Sequence, residues 1–250
     1  NTTFGPEGLA LLASGKPPGL VLDQLLAKDE GRDRRQVGIV SASGASATFT
    51  GPGTTPWAGG RSGPDYAIQG NILAGEQVVV EMERAFLAAK GSLAERLYAA
   101  LLAGEKAGGD SRGKQSAALL VVRPKGGYGG FDDRAIDVRV DDHPEPFVEL
   151  GRLLEYARMN DAWNQGWAAF LDKRFPEALA AQERAARLAP QNGEVIYDLA
   201  VIRLAAGHRP EALEALAKAL RLNPKLKAQA VKDGDLAALK GDPAFEKLVR

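Results

Sequence analysis

Residues 108–116 read GGDSRGKQS and place Asp110, Ser111, Arg112, Lys114 and Gln115 within a few positions of one another. An acid, a guanidinium, an ammonium and an amide spaced so closely can hold a carboxylate or an amide, or can neutralise each other. The apolar run AALLVV, residues 117–122, follows without a break. A run of that length bounded by turn signals predicts a strand buried on both faces. Polar groups delivered by a glycine turn to the lip of such a strand are held rigidly and face a crevice. The alternative is an anchored loop in which Asp110 and Arg112 only cancel one another.

Gly108, Gly113 and Lys114 also match the phosphate-binding pattern G-x-x-x-x-G-K-[ST] as far as its lysine. Gln115 then stands where Ser or Thr would hold magnesium, and Ser116 comes one place late. A strand follows where a phosphate site needs a helix N-terminus, so nucleotide binding is excluded. The two histidines, His143 and His208, lie far apart in the chain with no third ligand suggested. Neither a metal site nor a Ser-His-Asp triad is expected. Asp132-Asp133 and Asp141-Asp142 are paired acids, but flanking Gly and Pro mark them as solvated turn residues. No cofactor is expected.

The elements that must position this chemistry follow from the remaining sequence. The 250 residues, 45% hydrophobic and 26% charged, describe an ordinary globular chain of one large or two modest domains. With 32 basic and 32 acidic side chains, nothing invites nucleic acid or an anionic membrane. The absence of cysteine excludes disulfides, thiolate metal sites and a cysteine nucleophile within the chain. The chain starts at Asn1 without methionine, so an upstream piece is expected to have been removed; a cytoplasmic home is the default.

In chain order, 8–14 and 19–27 carry helical spacing, split by Gly15-Lys16-Pro17-Pro18. Residues 35–41 and 46–50 form a hairpin around Ser43-Gly44. Residues 51–64, with five glycines and three prolines around Trp57, are read as loop. A short strand at 66–72, helices at 76–89 and 93–106, the apolar strand, an alternating strand at 135–140 and a helix at 147–159 follow. Strands that arrive consecutively argue for an α+β layered fold over residues 1–157.

From 158 to 250 the chain is helical, alanine-rich and repetitive. Pro176 and Pro210 are 34 residues apart, as are Pro190 and Pro224, and Ala178 and Ala185 recur as Ala212 and Ala219. This resembles the tetratricopeptide repeat, whose small residues let paired helices pack closely. Residues 233–245 read as a polar-faced terminal cap. The module is a binding or stacking appendage rather than a catalytic one.

The words GPEGLALLASG, RRQVGIVSASG, PWAGGR, AIQGNILAG, GGDSRGKQSAALLVVRPKGGYGG and DDRAIDVRVDDHP together look like an uncharacterised bacterial and archaeal family. It is catalogued as domain of unknown function 1028 and regarded as related to the N-terminal-nucleophile (Ntn) hydrolases. The resemblance implies an α-β-β-α sandwich and hydrolysis of amide bonds by an N-terminal Thr, Ser or Cys. It also implies a strand hairpin before the GPEG segment, so that the nucleophile lies outside this chain. Carried over, the candidate pocket residues are Asn71, Asp110, Arg112, Gln115 and Ser116. Asn71 would meet an oxyanion or amide, Arg112 steadied by Asp110 would clamp a carboxylate, and Gln115 and Ser116 would line the strand edge.

Two functional classes follow: an Ntn-type amidohydrolase on a small amide or peptide, or a non-catalytic binding protein acting through the repeats. Recognition of a cell-wall peptide is a third reading by analogy. A small amide or peptide substrate, a protein partner on the repeats and self-association are the expected partners.

Overall fold

The computed structural model covers residues 1–250, and the chain divides into two compact units. The first comprises Asn1–Ala117 with Asp141–Phe147, the second Ala118–Val140 with Val148–Arg250. No helix is long and apolar enough to cross a membrane.

The first unit opens with α1 (Phe4–Ala13) and α2 (Pro18–Ala27), with Pro18 in the first turn of α2, where a missing N–H costs nothing. Val21, Leu22, Leu25 and Leu26 form the buried face of α2, each contributing about 1.5–3 kcal/mol. That face rests on the hairpin of β1 (Gln36–Val40) and β2 (Ser46–Thr50), in which Val37 opposes Phe49. A second hairpin, β3 (Gly59–Gly63) and β4 (Tyr66–Gly70), packs on the first, and α3 (Gln77–Ala88) rests against it beside α4 (Leu93–Lys106). The order is helix pair, hairpin, hairpin, helix pair, with each sheet only two strands wide.

Strand β3 lies inside 51–64, which the sequence reads as loop. Its glycines hide the strand because they depress local propensity, yet the stacking of the hairpins needs them. A Cβ on Gly60 would sit 2.7 Å from Thr48 Oγ1, and one on Gly38 would sit 2.2 Å from Gln69 Oε1. The close approach lets side chains of the first hairpin bond the backbone of the second. Gln36 Nε2 donates to the carbonyls of Gly70 (2.8 Å) and Gly59 (3.3 Å), and Ser46 Oγ donates to that of Gly63 (2.6 Å).

The strands β5 (Ala117–Val122), which from Ala118 belongs to the second unit, and β6 (Arg134–Val140) make a two-stranded ribbon. The expectation that β5 is buried on both faces is wrong. Only Leu119 is fully buried, while Leu120 is 53% and Val122 63% exposed. A ribbon of two strands covers one face at most, and period-two alternation turns Leu120 and Val122 outward. The predicted helix at 147–159 continues without interruption as α5 (Pro146–Leu171).

Helices α6 (Phe175–Leu188), α7 (Gly193–Ala205) and α8 (Arg209–Leu222) complete the repeats, and Ala178, Ala185, Ala212 and Ala219 are all fully buried. Beyond them, α9 (Leu226–Lys232), a 3₁₀ turn at Ala237–Leu239 and α10 (Pro243–Val249) form the cap. The cap buries Leu236, Leu239 and Phe245 in one cluster with Tyr197 and Leu216.

One polar link ties the repeats together. Trp163 and Trp167, four residues apart on α5, both donate their indole N–H to Asp198 Oδ2 on α7, at 2.6 and 2.7 Å. Burial raises the Asp198 pKa against the opposing effect of these two donors. The Asp198→Ala protein, which strands both indole donors, is expected to lose about 2–3 kcal/mol in urea unfolding of the repeats. Because folding raises this pKa, the native carboxylate weakens the fold as pH rises through the raised value. Asp198→Asn should therefore flatten the decline of stability with rising pH, a comparison made by thermal melts across the acid range.

Candidate functional site

The segment after α4 is shaped by three glycines in the left-handed region, Gly108 (φ 118°), Gly109 (φ 52°) and Gly113 (φ 107°). Other residues adopt these angles only with strain. Between them Asp110 Oδ1 accepts from the Arg112 backbone N–H at 2.8 Å, and the Gly113 N–H donates to the Asp110 carbonyl at 3.0 Å. This is an Asx turn nested in a β-turn. Two tertiary bonds then fix its height. Asp110 bridges to Leu73, with Ser111 N–H on the Ile72 carbonyl at 2.8 Å, and His143 N–H donates to the Gln115 carbonyl at 3.0 Å.

The turn borders a cleft of about 810 Å³ within the first unit. Its apolar floor is formed by Leu73, Val78, Met82, Leu101 and Phe147. Gly104 on α4 also lines the cleft, and a Cβ there would lie 2.8 Å from Met82 Cγ. Four of the five predicted residues, Asp110, Arg112, Gln115 and Ser116, line the polar side. Asn71 does not. It is exposed on the bend after β4, where Ile72 takes a positive φ of 57°, and its amide reaches only Gln36 Oε1 at 3.5 Å.

Asp110 grips Arg112 through two side-chain contacts, Nε to Oδ1 at 2.9 Å and Nη2 to Oδ2 at 2.6 Å. The guanidinium remains 69% exposed at the rim. Side-chain and backbone donation from Arg112 hold the Asp110 pKa at about 2, against an ordinary 3.8. Lys114 Nζ sits between Glu145 Oε2 (2.6 Å) and Glu105 Oε1 (3.5 Å), and the bond to Glu145 raises its pKa. Gln115 Nε2 donates to Asp142 Oδ1 at 3.2 Å.

Glu105, Asp142 and His143 join the cleft; sequence reasoning set Asp142 and His143 aside and did not single out Glu105. The Glu145 backbone N–H donates to His143 Nδ1 at 3.0 Å, which leaves the ring proton on Nε2 as a donor. The signal was present only as the word DDHP. Its meeting with Gln115 depends on the chain's return from β6, which no local pattern specifies. Such a wall can receive an amide carbonyl from Gln115, Ser116 and His143, and an acid from Arg112.

Since the Asp110 pKa falls on folding, the stability it contributes is complete above pH 3.8 and is lost as pH drops towards about 2. A carboxyl carbon-13 NMR titration should find Asp110 ionised at pH 3, and in the Arg112→Ala protein titrating near an ordinary aspartate.

Comparison with known proteins places these residues in context. The crystal structure of protein SPO2555 from Silicibacter pomeroyi is similar, with 31% sequence identity and a TM-score of 0.56, covering 63% of this chain and 67% of that one. No curated protein matches. The tetratricopeptide repeat matches residues 169–233, the stretch in which buried alanines recur every 34 positions. The glycine turn and the cleft fall within residues 1–150, which match the family of unknown function DUF1028, and the chain belongs to that family.

Proposed function

We propose that the first unit binds a small amide or peptide in the 810 Å³ cleft and forms the substrate side of an Ntn-type amidohydrolase. The observation that supports this reading is that Asp110, Arg112, Gln115, Ser116 and His143 all line one cleft together with apolar side chains. Gln115 Nε2, Ser116 Oγ and His143 Nε2 would donate to the amide carbonyl. Arg112, with Nε and Nη2 committed to Asp110, keeps Nη1 for a substrate carboxylate. The floor would accept an apolar side chain, and an N-terminal Thr, Ser or Cys would be the attacking group. The helix pair–hairpin–hairpin–helix pair order supports an Ntn-like sandwich in reduced form.

The repeats support a second role, docking of a protein partner, because their packing is intact and matches tetratricopeptide repeats. If that role were the whole function, the first unit would be a scaffold without chemistry.

Isothermal titration with a panel of N-acyl amino acids and dipeptides tests the cleft. The chain is expected to bind at least one member, and Arg112→Ala should weaken ligands bearing a carboxylate by about tenfold or more while sparing their amides. Silence across the whole panel contradicts the cleft reading. Intact mass spectrometry of the natural protein separates the two functions. An accompanying fragment that begins with Thr, Ser or Cys supports the hydrolase, and one that begins otherwise favours the scaffold.

A further inference from the structure

We propose that the repeats dock a partner protein in the groove that α6 and α8 form over α7, and that the docked segment carries an apolar side chain flanked by carboxylates. The proposal rests on the docking role given to the repeats above and names its surface and its chemistry. Helices α6 and α8 each pack on α7 but scarcely on each other. A strip of α7 between them therefore borders a groove of about 610 Å³ within the second unit. Ile196, Leu199 and Arg203 form that strip, and their spacing of three and four sets them on one face of the helix. Ala186 of α6 and Ala215 of α8 complete the apolar lining, and side chains this small leave the groove its width. Asp198, which holds the two indoles of α5, lies on the opposite side of α7. The groove and the Trp–Asp link thus occupy different faces.

The charges around the groove select the partner. Glu183 and Arg187 on α6, Arg203 on α7, and Glu214 and Lys218 on α8 border it. Arg203 is already committed, with Nη2 on Glu183 Oε1 and Nη1 on the Glu211 carbonyl, both at 3.3 Å. Arg187, Glu214 and Lys218 make no ion pair, which leaves a surplus of one positive charge at the groove. The two uncommitted cations stand on different helices, with the apolar strip of α7 between those helices. Lys218 is half-buried, and a lysine so placed lays its stem on apolar surface while its head stays free. Arg187 is exposed, and its planar guanidinium takes a carboxylate through two parallel bonds. An apolar side chain with a carboxylate on each side satisfies the strip and both cations at once. Charge complementarity of this kind sets specificity and association rate more than raw affinity, and salt weakens it.

Fluorescence anisotropy of the full chain tests the groove with short labelled peptides in which leucine, phenylalanine or methionine is flanked by glutamates. At least one should bind, less tightly as salt rises, and its glutamine counterpart should bind about tenfold more weakly. Arg187→Glu and Lys218→Glu should each weaken the acidic peptide by about fivefold or more, with the circular dichroism of the chain unchanged. The double variant should prefer the peptide carrying lysines in place of the glutamates, a reversal that loss of folding cannot produce. Arg112→Ala, in the first unit, should leave all of this binding as it is. Silence of every acidic peptide, or binding that ignores both substitutions, would overturn the proposal. In the second case, movement of the Trp163 and Trp167 indole NMR signals on adding peptide would keep the docking role of the repeats but put it on the other side of α7. A dimer of the native chain that Arg187→Glu dissolves, with no peptide bound, would assign the groove to a second copy and overturn the proposal as well.

Discussion

The candidate site depends on one constraint: a short glycine-rich turn has to be held at both ends before its polar side chains can share a wall. The bridge from Asp110 to Leu73 supplies one end and the bond from His143 to Gln115 the other. Within the turn, Asp110 bonds both the backbone and the guanidinium of Arg112, so the acid shapes the turn and aims the cation together. A pair this exposed contributes little to global stability. Its effect is local order, which a binding wall needs. Lys114, placed between Glu105 and Glu145, ties the same segment to the end of α4 and to the return of the chain.

The stacked hairpins explain why the first unit tolerates so many glycines. Gln36 and Ser46 reach across to backbone carbonyls of the second hairpin, and a Cβ on Gly60 would press on Thr48 of the first. Polar bonds and close backbone approach replace the wide apolar layer of a larger sandwich. The repeats use the opposite solution. Alanines at zero or near-zero exposure bring helices together over a continuous apolar core, and the polar link through Asp198 fixes the register of α5 against α7.

Much of this was legible in the sequence. The helix pairs, the first hairpin and the 34-residue repeat follow from spacing, glycine breaks and prolines, which are local signals. Strand β3 was not legible, because GGRSG has no strand propensity and owes its conformation to the hairpin packed on it. AALLVV was recognised as a strand but not its exposure, since burial on one face or two depends on how many strands lie alongside. Asp110, Arg112, Gln115 and Ser116 all line the cleft; the first three stood out because they crowd one turn, and Ser116 was carried over by resemblance. Asn71 was carried over by resemblance and stands apart, whereas Asp142 and His143 enter only through the fold.

The central claim is that this wall is a ligand site, and side-chain NMR reads it most directly. In a nitrogen-15 correlation spectrum of the full chain, the Gln115 amide, the Arg112 Nε–H and the His143 ring can be followed while an N-acyl dipeptide is added. The account predicts that these three signals move together and saturate at one ligand concentration, with the Trp163 and Trp167 indoles of the repeats unmoved. Movement confined to the indoles, with the cleft signals still, would contradict it.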